Sequence, residues 1–214
     1  MKKIYLAIAA FFIAFTTIAQ SNAEAVKLLK TVTSKYNGYK TMSMDVNLTI
    51  ENLESKTKEQ RKGKAMLKGN KFNLNLENQQ VICDGKTIWV YVKDYNEVQI
   101  NNFNPKEEMI TPDRIFKIAE KDYLVMMGEK VSEGGKSLQI IELTPNDKSQ
   151  SYSKIKVYID PSDNSIQKGV VFDKNAIHLT YAISNFKANG EVSDSNFAFD
   201  KSKYPGVEVI DLRQ

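Results

Sequence analysis

The sequence predicts a mainly β protein (α+β) whose strands form one strongly curved antiparallel sheet, close to a barrel. Segments in which apolar and polar residues alternate recur along most of the chain, which is typical of strands with one buried face. Clusters of glycine, asparagine, aspartate and proline separate these segments as tight turns do. About ten strands are predicted in this way, too many for a flat open sheet, so the sheet must curl.

Residues 1–19 are predicted to be a secretory signal peptide. Two lysines precede an apolar stretch that ends in the small residue Ala19. The stretch is too short for a membrane-spanning helix. We therefore expect cleavage near Ala19, export of the mature chain, and a single domain over residues 20–214.

The charge of the chain gives no sign of a polyanionic partner. The formal net charge is +4, and it falls to +2 once Lys2 and Lys3 leave, since 28 of the 30 basic residues then face 26 acidic ones. This near-neutral balance argues against nucleic acid as a ligand. The single cysteine, Cys83, cannot form an intramolecular disulfide, and we interpret it as a small apolar residue of the sheet.

The first element of the mature chain is an amphipathic helix over residues 22–36. Its apolar residues recur at helical spacing, and Asn37-Gly38 supplies the stop. Strict alternation from Met42 to Ile50 then predicts a strand with one solvated face. The charged run from Glu51 to Lys62 is predicted to be a long hairpin loop.

The rest of the chain is predicted to be strands with one helical insertion. Thr111-Pro112-Asp113 has the N-cap, first-position proline and early carboxylate of a helix start, so a short helix should interrupt the sheet. Residues 123–127 fit either an extension of this helix or a strand, and the strand is favoured. The other strands are predicted over 64–67, 72–76, 87–92, 98–100, 137–143, 154–159, 166–172, 177–183, 197–199 and 207–210.

The strand over residues 87–92 is apolar on both faces. Ile88, Val90 and Val92 alternate with Trp89 and Tyr91, and alternate side chains of a strand point to opposite faces. Each face of this strand therefore needs a cover.

The residues that support catalysis are few. His178, the only histidine, lies between two apolar residues of a predicted strand, so a packing role is favoured. No nucleophile elbow, phosphate-binding loop, dinucleotide fingerprint or close metal-ligand spacing occurs. We expect a protein that is not an enzyme and that has no cofactor or metal.

Methionines and aromatic residues are concentrated in or beside the predicted strands and the inserted helix. This set consists of Met42, Met44, Met66, Phe72, Trp89, Tyr91, Met109, Phe116, Met126 and Met127. Two interpretations remain open at this point. The residues form an ordinary core, or they line an apolar cavity on the inner face of the sheet with the short helix over its opening.

One motif resembles a known family. The segment from Val81 to Tyr91, followed by Asn96-Glu97-Val98-Gln99, resembles the signature of the LolA family of periplasmic lipoprotein carriers. In that signature a DGK-x-LWxY strand precedes a short turn and a QV or EV pair. The order of other segments agrees over essentially the whole mature chain, from the first helix through the Thr-Pro helix to Phe197-Ala198-Phe199 and Pro205-Gly206.

The resemblance implies an incomplete antiparallel barrel with a helical lid over an apolar cavity that holds lipoprotein acyl chains. The resemblance places Phe72 in the cavity and the inserted helix in the lid. The other candidate wall residues follow from the strand pattern. Alternation does not decide which face of the Trp89 strand meets the cavity. The candidate acyl-chain residues are Met42, Met44, Val46, Phe72, Leu74, Trp89, Tyr91, Ile115, Phe116, Ile118 and Ala119. The implied partners are acylated lipoproteins, an inner-membrane lipoprotein-releasing ABC transporter and an unidentified outer-membrane acceptor, met in the periplasm by a monomer.

The sequence departs from the family pattern at the lid latch. Better-studied members carry an arginine before a proline just upstream of the position matching Phe72, and that arginine holds the lid closed. Here the region reads Lys68-Gly69-Asn70-Lys71. Lys68 is the candidate substitute, but its ammonium lacks the planar fork of a guanidinium, so we expect a more weakly closed lid.

Two other functions are weighed against the lipoprotein carrier. The first keeps the fold and changes the cargo to another long apolar molecule, such as a lipid or a polyene pigment precursor. The second is an exported hydrolase that uses His178, which no accompanying motif supports.

Overall fold

The computed structural model describes residues 22–104 and 112–213. The predicted signal peptide, Met109 and the predicted N-cap Thr111 lie outside the described residues. Within the described residues, no helix combines the length and the hydropathy that a membrane span requires.

In the part of the chain that the structure describes, twelve strands form one open, curved sheet that does not close into a barrel, and the predicted mainly β fold is confirmed. The strands are Met42–Asn52 (β1), Thr57–Lys68 (β2), Lys71–Leu76 (β3), Gln79–Cys83 (β4), Thr87–Val92 (β5), Glu97–Asn102 (β6), Tyr123–Glu133 (β7), Lys136–Pro145 (β8), Tyr152–Asp160 (β9), Ser165–Asp173 (β10), Ile177–Ala188 (β11) and Glu208–Asp211 (β12). Their order across the sheet is β12-β6-β5-β4-β3-β2-β1-β11-β10-β9-β8-β7. All neighbours are antiparallel except β12, which lies parallel to β6.

The predicted N-terminal helix is confirmed over residues 22–37 (α1). Its apolar stripe, which includes Ala25, Leu29 and Val32, is buried in the same hydrophobic cluster as one face of the sheet. We call this helix-bearing side the inner face. The Tyr36 hydroxyl accepts a hydrogen bond from the backbone N–H of Ile166 at 2.9 Å, and burial raises the pKa of Tyr36 to about 12.

A second helix, Pro112–Phe116 (α2), interrupts the sheet between β6 and β7, as predicted. The chain continues through Lys117 and Ile118 to Ala119 without regular structure. Residues 112–119 are called the lid segment below.

The prediction of a long loop over residues 51–62 was wrong. Strand β1 continues to Asn52 and β2 begins at Thr57, so only four residues connect them. The side chains of this hairpin tip are mostly exposed, and charged side chains on both faces mark a strand that leaves the core rather than a break in backbone pairing.

The predicted strand over residues 197–199 was also wrong. A 3-10 turn, Asp194–Phe197, occupies its start, and Ser193 caps that turn with its hydroxyl. Phe197 is fully buried there, which explains its apolar character without strand pairing.

Candidate functional site

Five of the candidate wall residues share the inner face. Register pairs Met42 with Leu67 and Leu67 with Phe72, and directly paired residues point to the same side of a sheet. Met44 and Leu74 are joined in the same way through Ala65. Met42, Met44, Val46, Phe72 and Leu74 are all buried in the cluster that includes α1 and the lid segment. The structure therefore brings these candidates together.

Trp89 and Tyr91 do not join them. Phe72 pairs with Cys83, and Cys83 pairs with Ile88, so Ile88 and Val90 point to the inner face. Their neighbours Trp89 and Tyr91 must then point to the outer face, and they are absent from the inner cluster. This corrects the candidate lining: the register of β3, β4 and β5 decides what alternation within one strand could not.

The outer face around Trp89 has a cover of its own, built by residues 194–211, which we call the C-terminal segment. Ile82 pairs with Trp89, and both Ile82 and Phe197 are buried without belonging to the inner cluster. The Asn73 amide donates to the carbonyl of Asn196 at 2.6 Å. The two apolar faces of β5 are thus covered by different parts of the chain.

The lid segment meets the inner face at a glycine. A Cβ added at Gly169, in the middle of β10, would lie 2.7 Å from Cδ1 of Ile115. Ile115 is 2% exposed, so its side chain rests directly on the strand backbone. Glycine is the residue that permits this close approach.

Aromatic rings hold the next lid residue, Phe116. Its ring centroid lies 4.7 Å from that of Tyr36 on α1 and 6.3 Å from that of Phe186 on β11. Tyr39 extends the group, at 5.8 Å from Tyr36. Ile118 is also buried, whereas Ala119 is partly exposed, so the lid segment places its candidate residues against the inner face or at its margin.

The polar tie between lid and sheet differs from the sequence-based prediction. Lys68, the predicted substitute for the family arginine, pairs with Asp194 at 3.3 Å, and Lys71 pairs with the same carboxylate at 2.9 Å. Hydrogen bonds from Lys71 and then Lys68 hold the pKa of Asp194 below its usual range. The ammonium that connects lid and turn belongs to Lys117, which donates to the carbonyl of Gly69.

A second tie joins Glu120, the residue that follows the lid segment, to α1. The Lys30 ammonium lies 3.3 Å from the carboxylate of Glu120. The pKa of the Glu120 carboxyl is lowered by its own backbone N–H and by Lys30. Both side chains are exposed, so this ion pair contributes little to stability.

A partly enclosed cavity of about 610 Å³ lies beside the lid segment. Its size is within the range of small-molecule pockets. The residues that line it are Asn70, Gly85, Phe103, Arg114, Lys117, Ile118, Ala119, Lys121, Asp122, Tyr123, Pro145, Asn146, Asp147, Gln150 and Tyr152. Apolar walls, cationic side chains and the Tyr123–Tyr152 hydroxyl pair, 2.8 Å apart, therefore meet at one place.

Sequence reasoning singled out few of these cavity residues, because they come from five separated segments. One available signal was Gly169, since a lone glycine inside a strand pattern often marks a close approach. His178 lies away from the site: it pairs with Glu51, and its ring is 4.5 Å from that of Phe172.

Comparison with solved structures shows the same fold. An uncharacterized conserved protein from Thermus thermophilus matches with a TM-score of 0.56 and 12% identity, covering 88% of this chain and 99% of that one. A domain from Vibrio parahaemolyticus, provisionally described as an outer membrane lipoprotein-sorting protein, matches with a TM-score of 0.50 and 9% identity, covering 82% and 97% of the two chains. At these identities the likeness concerns the fold alone.

Sequence comparison gives a relative and a family. An uncharacterized protein of Methanocaldococcus jannaschii is 28% identical over 204 residues, which are 92% of this chain, and this chain spans about half (56%) of that relative's length. The family described as outer membrane lipoprotein carrier protein LolA matches residues 37–200. The chain therefore belongs to the LolA family.

Proposed function

We propose that this protein is an extracytoplasmic carrier that takes up the acyl chains of lipoproteins at the inner membrane and delivers them to the outer membrane, without covalent chemistry. The observation that carries the proposal is the lid segment. Its apolar side chains are buried against an apolar inner face, but it is a short helix whose described polar ties are at the surface. A cover of this kind can leave without unfolding the sheet.

The physical need for such a carrier follows from the cost of exposing acyl chains to water. Each buried methylene contributes about 0.8 kcal/mol, so two or three long chains cannot cross an aqueous space unaided. Ile115 and Phe116 occupy the inner face in this structure. We infer that acyl chains replace these two side chains when the lid segment moves outward.

Location and partners belong to the same proposal. Membership of the LolA family and the predicted signal peptide support an extracytoplasmic, periplasmic location. An inner-membrane lipoprotein-releasing ABC transporter would supply the cargo, and an outer-membrane acceptor would receive it from a monomeric carrier. Catalysis has no part in this function, and His178 has no assigned role in it.

A second cargo is favoured by one observation. The cavity beside the lid segment carries cationic and hydroxyl groups that the acyl chains alone do not need. The same fold could therefore carry another long apolar molecule with a polar head.

The test compares two peptides of one sequence, with and without acyl chains, for binding to the mature protein. We expect binding that depends on the acyl chains. Phe116→Glu should abolish it, because a charge opposes burial of the chains beneath the lid. Tyr95→Glu is the control, since Tyr95 is 79% exposed.

Circular dichroism would verify that both variants fold. Equal binding of the acylated and unacylated peptides would contradict the proposal. Independently of the peptide experiment, native mass spectrometry of the protein purified from the periplasm identifies the bound cargo. A stoichiometric acylated lipoprotein is the expected species.

A further inference from the structure

The cavity beside the lid segment combines two kinds of surface. Ile118 belongs to the buried cluster and Phe103 packs against it, so one side of the cavity is continuous with the apolar inner face. Phe103 also contacts Phe72, with ring centroids 5.9 Å apart. The cavity is thus placed where an apolar chain on the inner face would reach the end of the lid segment.

Two tyrosine hydroxyls border the cavity. The Tyr123 and Tyr152 hydroxyls form one hydrogen bond at 2.8 Å, which uses one of their two hydrogens. Among the described residues neither hydroxyl has another hydrogen-bond partner, so one O–H can still donate to a ligand. Burial raises the pKa of Tyr123 well above its usual range, and the phenol stays a donor at neutral pH.

Charged side chains also line the cavity. Arg114, Lys117 and Lys121 line it, against two carboxylates, Asp122 and Asp147. Both oxygens of Asp147 accept hydrogen bonds within its own loop, from Ser149 and Gln150. Among the lining residues that the structure describes, cations therefore outnumber carboxylates by three to two, and both Lys117 and Asp147 already have hydrogen-bond partners.

We infer that this cavity binds the anionic head of a lipid, a carboxylate or a phosphate, while its chain lies on the inner face beneath the lid segment. This inference rests on the second cargo of the proposed function, a long apolar molecule with a polar head, and narrows that cargo to amphiphiles whose head is anionic. A carboxylate or phosphate receives charge-assisted hydrogen bonds from Lys121 and a donor from the tyrosine pair. The apolar chain continues past Phe103 and Ile118.

The experiment compares palmitic acid with palmityl alcohol, which has the same chain and a neutral head, as competitors of an apolar fluorescent probe bound to the mature protein. The wild type should bind the acid about tenfold more tightly than the alcohol, the magnitude of a hydrogen bond to a charged group. Lys121→Gln should remove most of this preference and leave alcohol binding unchanged. Replacing both tyrosines, Tyr123→Phe with Tyr152→Phe, should lower the preference as well, since no hydroxyl of the pair then remains to donate to the head.

Lys64→Gln is the matched control, because Lys64 is exposed on β2 and does not line the cavity. Equal affinity of acid and alcohol in the wild type would overturn the inference and leave the carrier function standing. Failure of both compounds to displace the probe would overturn the carrier function as well. Phosphatidic acid in place of palmitic acid distinguishes a phosphate head from a carboxylate head.

Discussion

The two faces of the central strands have covers of opposite character. On the outer face, the C-terminal segment is fixed by hydrogen bonds from Asn73 to Asn196 and from Tyr204 to Gln80, and by the pairing of β12 with β6. On the inner face, the lid segment is held mainly by apolar contacts of Ile115 and Phe116.

This difference shows how the two apolar faces of β5 serve different purposes, one structural and one for exchange with cargo. Hydrogen bonds fix the outer cover in one position, because each needs its partner at a defined distance and angle. Apolar contacts lack this requirement, so other apolar groups can replace them. The outer cover is therefore structural, and the inner one is suited to exchange with cargo.

The largest effect is expected in the outer cover, from Phe197→Ala. The Phe197 ring is fully buried, and its removal leaves a cavity that the tied segment cannot fill. The free energy of unfolding should fall by ~3–5 kcal/mol. Urea denaturation followed by tryptophan fluorescence measures this free energy. A loss below ~1 kcal/mol would show that the outer cover, like the lid segment, is not firmly fixed to the sheet.

Phe116→Ala makes the matched change in the inner cover. Phe116 is as buried as Phe197, but the lid segment can detach locally, so the free energy of unfolding should fall by only ~1–2 kcal/mol. Hydrogen exchange at residues 115–119 should become faster. A loss of stability equal to that of Phe197→Ala would mean that the lid segment unfolds together with the core. The inner and outer covers would then not differ in how they are held.

Gly169→Ala sharpens the comparison without touching the lid segment itself. The new methyl group would meet Cδ1 of Ile115 at 2.7 Å, and this flexible side chain must move. Overpacking of a core costs ~1–3 kcal/mol. Because the lid segment can detach locally and relieve it, we expect faster hydrogen exchange in the lid segment and a loss of global stability below ~1 kcal/mol. Gly190→Ala is the control, since no atom lies within 4 Å of its added Cβ. Equal hydrogen exchange in the lid segment of both variants would contradict direct contact between Ile115 and Gly169.

Lys117→Met should have the smallest effect. The substitution keeps an apolar stem and removes the ammonium that donates to Gly69. Opening of the lid segment should become easier by ~0.5 kcal/mol, because an exposed hydrogen bond contributes little. Hydrogen exchange measures this against Lys40→Met, an exposed lysine elsewhere; no difference would mean that apolar contacts alone close the lid.

Much of the fold was readable from local patterns. Alternation from Met42 to Ile50 and the helical stripe from Ala25 to Tyr36 each express the period of one element, so they needed no knowledge of neighbours. The hairpin tip over residues 51–62 was misread because charge reports solvation and not backbone pairing. The strand over residues 197–199 was misread because burial under a 3-10 turn gives the same apolar signal.

The candidate site was readable only in part, for a reason of register. Phe72 and Leu74 were placed with the inner wall, whereas Trp89 and Tyr91 were grouped there although they lie on the outer face. Alternation separates the two faces of a strand but does not say which one is inside.

The sequence by itself determined the elements, the family signature and the apolar character of both faces of β5, because these depend on residues close together in the chain. Only the tertiary structure decided which face the lid segment covers, that Ile115 rests on Gly169, and that Lys117 in place of Lys68 reaches across to the turn. It also decided that Lys121, Tyr123 and Tyr152 border one cavity. These facts join segments far apart in sequence, and such contacts are set by strand register and packing, which local residue patterns do not encode.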